Sequence, residues 1–267
     1  MAQNPEVTGR EILPIPDRPS KGKMALDARN AEFPAIKPLR PPEGAPNVVI
    51  VLIDDMGFGA PSVTGGPCHM PAMQKIADDG LLYNRFHTTA LCSPTRQALL
   101  TGRNHHSAGM GSVAEVATGA PGNDSVRPNS VATIAEMLRL NGYNTGAVGK
   151  MHQTPVWEVS MSGPFDRWPT GDGFEKFYGF VGGETNQWAP TLFKGTSPVE
   201  PPATAEEGYQ ISEDMVDKAI GWVRGLHTMT PDLPVFLECS VGARRARHDG
   251  GRGGLDGAEG QGGRGGA

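Results

Sequence analysis

The chain has few cysteines, no long apolar run and no excess of basic residues. Its three cysteines, Cys68, Cys92 and Cys239, are too few for a disulfide framework. No apolar stretch approaches the roughly 20 residues that cross a bilayer, so no membrane partner is expected. Lys and Arg number 24 against 29 Asp and Glu, a formal net charge of -5. That balance lacks the concentrated basic face on which nucleic-acid binding depends, so no nucleic-acid partner is expected either. Residues 1–10 have neither a basic n-region nor an apolar h-region, so no secretory signal is visible and the expected location is the cytoplasm.

What the chain does have is glycine and proline, 37 and 24 of them in 267 residues, a length that suits one or two domains. Residues 1–46 carry Pro14, Pro16, Pro19, Pro34, Pro38, Pro41, Pro42 and Pro46 with no sustained period, which reads as an extended arm. Order is expected from Asn47 onward. The β-branched run 48–53 predicts a strand buried on both faces of a parallel sheet. It stops at Asp54-Asp55, followed by Gly57 and Gly59. A helix is expected over 71–80, with Pro71 near its start and Gly80 as its stop, then a strand over 81–86 and a helix over 92–100. Ser130 reads as the cap of a helix running to Leu140, with Val131, Ile134, Ala135 and Leu138 on one face and Gly142 beyond its end. A strand over 143–148, a loop-rich stretch over 151–210 and a helix over 211–226 follow. Glu213 and Asp214 favour the first turn of that last helix, and a buried strand begins at 235–237.

Alternating strands and helices predict an α/β fold over residues 47–240. Residues 241–267 are mostly Gly, Arg, Ala and acid, too poor in apolar surface to offset ordering entropy. They read either as a disordered Gly/Arg-rich tail or as the product of a frameshift in a GC-rich gene.

Three groups of residues carry chemistry. Asp54 and Asp55 sit beyond a strand end, where α/β proteins bind ligands. Adjacent carboxylates repel, and a hard divalent cation would hold both ionised; a helix cap or solvated turn is the plain alternative. Cys92 opens a predicted helix with Arg96 one turn later. The helix N-terminus and the guanidinium together favour a thiolate or hold a sulfate or phosphate; a buried structural cysteine is the alternative. Lys150 and His152 lie at alternate positions past a strand, so both can face one pocket, the lysine as a point charge for an anion and the histidine as a proton carrier.

The string Cys92-Ser93-Pro94-Thr95-Arg96 with Leu99-Leu100-Thr101-Gly102-Arg103 resembles the first signature of the sulfatases, and 142–152 (GYNTGAVGKMH) resembles the second. Both follow an Asp-Asp strand end, and the resemblance runs from about Asn47 to about Leu237, looking most similar to bacterial arylsulfatases. It implies the alkaline-phosphatase-like α/β fold, a mixed, mostly parallel sheet between helices, with a partial catalytic domain at 47–240 that is incomplete at the C-terminus, and a sulfuric ester hydrolase activity on small-molecule sulfate esters. It implies that a formylglycine-generating enzyme converts Cys92 to formylglycine. Asp54, Asp55 and modified Cys92 would ligate calcium, with magnesium as the alternative. Arg96 would stabilise the hydrated formylglycine, Lys150 would bridge it to sulfate, and His152 would hydrogen-bond its hydroxyl. The family's later residues, a further Asp-Asn metal pair, a second lysine, a histidine and a leaving-group acid, have no matching strings after Leu237. His69, His105 and His106 receive no role, and Cys68 and Cys239 read as packing residues. A phosphonate or phosphate ester hydrolase of the same superfamily and a non-catalytic fragment binding anion or metal are the alternative functions.

Overall fold

A computed structural model describes residues 22–35 and 38–241; the expected Gly/Arg-rich tail, apart from Val241, lies outside the described residues. The chain divides into two units between Leu39 and Arg40. In the first, a short 3-10 turn at Ala28–Asn30 is capped by Asp27, whose carboxylate accepts from the Arg29 backbone N–H. A bridge between Lys23 and Glu32 closes around it.

The second unit follows an α/β course. Its elements are β1 (Val48–Ile53), α1 (Pro71–Asp79), α2 (Cys92–Thr101), α3 (Ile134–Arg139), β2 (Asn144–Lys150), β3 (Lys176–Phe180), β4 (Leu192–Lys194), β5 (Ser197–Val199), α4 (Ile211–Met229) and β6 (Val235–Val241). They form one six-stranded sheet in the order β1-β6-β2-β3-β4-β5. The first four strands in that order are parallel, with Phe236 of β6 between Val48 of β1 and Thr145 of β2. Strands β4 and β5 add antiparallel at one edge. Parallel neighbours need a crossover, and α4 supplies it: the chain leaves the β4–β5 edge and returns as β6 in the middle of the sheet.

Side-chain alternation along the central strands sorts the core into two layers. Val148, Val235 and Leu237 face α4, where Ile211, Met215, Ala219 and Leu226 pack against them. Ala147, Phe177 and Phe236 face the other way, onto Leu100 of α2, Ala135 of α3, Trp168 and Phe174. Gln210 caps α4 by accepting from the Ser212 and Glu213 backbone N–H groups, and the helix runs one turn beyond the expected Leu226. Cys239 is partly buried against the α4 layer, and burial pushes its thiol up to about 11.

Four expectations need correction. Residues 81–86 form no strand: Leu81, Leu82, Tyr83 and Phe86 are exposed. A β-prone run becomes a strand only where a ladder receives it, and among the described residues β1 pairs with β6 alone. Strand β1 is accordingly an edge strand with one open face, Val49 and Val51 being 57% and 60% exposed, not a strand buried on both sides. The helix expected to be capped by Ser130 starts three residues later, because Thr133 is the cap: its hydroxyl accepts from the Glu136 backbone N–H. The stretch 151–210 contains β3, β4 and β5, whose short lengths and Gly-rich flanks concealed them.

Candidate active site

The carboxyl ends of β1 and β2 and the N-terminus of α2 converge on one spot. Asp54 directly follows β1, Lys150 is the last residue of β2, and α2 begins at Cys92 with Arg96 one turn in. A local feature of β2 sets this up. Gly149 has φ +107, a conformation that side chains other than glycine rarely adopt, and a Cβ there would overlap the Ser240 carbonyl oxygen of β6. The missing side chain lets β2 and β6 close up beside Lys150, whose carbonyl oxygen is an acceptor within the site. Arg96 uses it: Nη1 donates to the Lys150 carbonyl oxygen at 2.7 Å.

Arg96 and Lys150 are both buried, and both reach Asp54. Arg96 Nη2 donates to Oδ1 at 3.1 Å and Lys150 Nζ donates to Oδ2 at 2.7 Å. Burial alone would push the Asp54 carboxyl up, but Lys150 and then Arg96 outweigh it and hold it below its ordinary value. Asp55, the next residue, is exposed with φ 52, a left-handed conformation that aspartate tolerates better than most residues.

At the helix start, Cys92 Sγ lies 3.0 Å from His152 Nδ1. His152 Nε2 faces both oxygens of Glu115 at 2.7 Å. Burial pushes the His152 imidazole below its ordinary value; the Glu115 carboxylate acts against that, while Lys150 and Arg96 add to it. A carboxylate can only accept, so Nε2 carries a proton, and in the neutral ring Nδ1 is the acceptor that faces the thiol.

The Sulfatase family model matches residues 46–239. The chain belongs to the sulfatase family. Among similar proteins, the arylsulfatase of Klebsiella aerogenes is 33% identical over 153 residues, covering 57% of this chain and 31% of the relative. An uncharacterized sulfatase of Schizosaccharomyces pombe is 32% identical over 151 residues, covering 54% and 26%. Human arylsulfatase A is 35% identical over 136 residues, covering 50% and 25%. The matched stretch thus spans about a quarter to a third of these curated relatives. Among solved structures, Ps i-CgsB in complex with a neocarrahexaose superposes with a TM-score of 0.57 at 22% identity, covering 76% of this chain and 46% of the other. The likeness extends to the fold, which is the alkaline-phosphatase-like α/β architecture.

Of the residues singled out in the sequence, Asp54 contacts Arg96 and Lys150, and Cys92 contacts His152. His105 and His106 do other work: His105 Nδ1 lies 3.0 Å from the Met110 carbonyl oxygen, and the two rings sit 4.3 Å apart. Two further acids belong to the same neighbourhood and are absent from the sequence reading. Glu115 stands in a Ser/Ala/Val segment with no periodic or motif signal. Glu238 is buried on β6, one oxygen accepting from the Ser240 hydroxyl at 2.8 Å and the other without a protein partner. Burial pushes its carboxyl up, and Arg96 is near enough to act against that. An acid inside the apolar run 235–241 was a legible signal for it.

No helix among the described residues is long and apolar enough to cross a membrane.

Proposed function

We propose that this chain carries the part of an arylsulfatase-type site that binds and attacks a small-molecule sulfate ester, with Cys92 converted to formylglycine by a formylglycine-generating enzyme. The observation that supports the reading most is that Asp54, Cys92 and Arg96 line one pocket, with Lys150 bonded to Asp54 and His152 to Cys92.

Formylglycine, when hydrated, supplies a hydroxyl as nucleophile toward sulfur and a second hydroxyl whose deprotonation frees the sulfate. The chain's own residues do the remainder. Lys150 and Arg96 offset charge that builds on the sulfuryl oxygens, in a buried setting where such charges count for more than in water. Lys150 meets an anion by exchanging its contact with Asp54; Arg96 remains anchored through the Lys150 carbonyl. His152 Nδ1 stands where it can accept a proton from the side chain at position 92.

Asp54, Asp55 and residue 92 are the donors the chain offers to a divalent cation. They suit calcium or magnesium in kind, as hard oxygens, but not in number. Calcium takes roughly six to eight oxygens, whereas no cluster of three metal-ligating groups exists among the described residues and both Asp54 oxygens already face cations. They would be part of a larger shell, so no catalytic step is assigned to the metal. This same saturation of Asp54 favours, as a second reading, an anion-binding sulfatase segment without turnover.

The test is production of the chain together with a formylglycine-generating enzyme, followed by mass spectrometry of the peptide containing Cys92 and hydrazide labelling. The expected result is an aldehyde at position 92, and none in Cys92→Ala. A thiol retained in cells that modify a control sulfatase would refute the assignment. Hydrolysis of an aryl sulfate in preference to an aryl phosphonate supports the sulfatase reading, the reverse preference supports phosphonate hydrolysis, and an aldehyde-bearing chain silent on both supports the segment without turnover.

A further inference from the structure

Glu115 does something that neither the sulfatase signatures nor the metal donors explain. It lies in a 3-10 turn (Ala114–Val116), 37 residues before the histidine it contacts. Both of its carboxylate oxygens stand 2.7 Å from His152 Nε2. The opposite ring nitrogen, Nδ1, is the one that faces Cys92. His152 is buried, whereas the Glu115 side chain is 47% exposed, so the carboxylate keeps part of its hydration while it grips the ring.

Two other features hold this arrangement. The Ala114 backbone N–H donates to the Ser93 hydroxyl at 3.3 Å, and Ser93 is fully buried in the first turn of α2. The turn bearing Glu115 is therefore tied to the residue after Cys92, so that carboxylate, ring and residue 92 form a closed loop of contacts. On the outer side lies Gly183. A Cβ at that position would come within 2.8 Å of Glu115 Oε1 and 2.9 Å of His152 Cε1. The absence of a side chain at 183 is what lets the carboxylate and the ring meet.

We propose that Glu115 is a positioning residue for His152. By accepting from Nε2–H, it fixes the ring in the tautomer whose unprotonated Nδ1 is presented to the side chain at position 92. The proposal rests on the sulfatase reading for its purpose but not for its test. The physical argument is one of tautomers. In a neutral imidazole one nitrogen carries the proton and the other carries the lone pair, and a hydrogen bond at one end decides the other. Without an acceptor at Nε2, the proton would distribute between the two nitrogens, and in part of the population Nδ1–H would point at residue 92 and could take no proton from it. The side-chain contact of Glu115 is with the far nitrogen of the ring, so it acts on residue 92 through His152.

The experiment is long-range proton–nitrogen NMR on the full 267-residue chain labelled with 15N-histidine. Buffer is kept alkaline to the ordinary imidazole range so that the ring is neutral, and His152→Gln identifies the resonances. In the unsubstituted protein His152 should show a single tautomer protonated at Nε2. Glu115→Gln, whose amide can donate or accept, and Glu115→Ala should both shift it to a mixture, with the two nitrogens moving toward each other in frequency. A stabilising ion pair without a positioning role would lower the unfolding midpoint in both variants yet leave the single tautomer in place, and that result overturns the proposal. So does an Nδ1–H tautomer in the unsubstituted protein, a measurement that needs no variant to fold. The tautomer is read without turnover, so lack of sulfate hydrolysis would refute the functional reading and leave this inference standing, and the converse also holds.

Discussion

Removing the Asp54 carboxylate tests whether the site is held together by charge. The side chains of Arg96 and Lys150 are 2% and 5% exposed, and Asp54, at 15%, is the acid that both of them contact. Asp54→Ala would leave two buried cations facing each other with one anion fewer. Breaking a buried pair by deleting one partner costs about 3–5 kcal/mol. Partial exposure of Asp54 puts the expected loss at the lower end, about 3 kcal/mol, a large share of the roughly 5–15 kcal/mol by which domains are stable. Asp54→Asn, which keeps the volume and one acceptor, should lose nearly as much, because the missing quantity is charge. Lys150→Met should cost less, since Arg96 would still pair with Asp54. The double variant Asp54→Ala/Lys150→Met should be more stable than the sum of the single losses predicts, because it removes one of the stranded cations along with the anion. Urea denaturation followed by fluorescence measures all four; at ~2–3 kcal/mol/M, the midpoint of Asp54→Ala should fall by about 1 M. A loss below ~1 kcal/mol, or strict additivity in the double variant, would mean that water already neutralises the cations and that the burial argument is wrong.

Two further expectations follow from backbone and burial. Gly149→Ala should destabilise by about 3 kcal/mol or more, the sum of left-handed backbone strain and displacement of β6 at the Ser240 carbonyl, and a melting temperature within the error of the unsubstituted protein would refute that account. Asp172 is buried, and burial pushes its carboxyl up to about 6 although Arg127 acts against this. The folded state therefore binds this proton more tightly than the unfolded state. The resulting stability is complete below pH 3.8 and is lost as pH rises through about 6. It amounts to about 3 kcal/mol for a two-unit shift. Burial raises Glu238 as well, so its contribution has the same sign. The lowered His152 imidazole acts in the opposite sense between pH 4 and pH 7, so the quantity to follow is the stability of the unsubstituted protein minus that of Asp172→Asn, which should fall as pH rises; a difference that grows would contradict the account of Asp172.

The sequence by itself determined the parts of this sulfatase that are local. The run 48–53 makes a strand and Asp54 ends it, because β-branched residues and a paired acid leave little choice over six to eight positions. Cys92 opens a helix with Arg96 one turn later, because Pro94 and the helical period place them so. Lys150 closes β2 because the run 144–150 is a buried strand that the residues after it leave. Tertiary structure alone decided which of those groups touch. Asp54 meets Lys150 across 96 residues and Arg96 across 42, contacts that depend on β6 inserting between β1 and β2 and on Gly149 letting the strands close up. The openness of β1 on one face followed from its place at the sheet edge, which an apolar run does not reveal, and residues 81–86 stayed out of the sheet because that edge received no second strand. Glu115 is the extreme case. Nothing in its own segment marks it. It acquires a role only when a 3-10 turn tied to α2 brings its carboxylate within hydrogen-bond distance of a histidine beyond the end of β2, over a glycine whose missing side chain leaves the space.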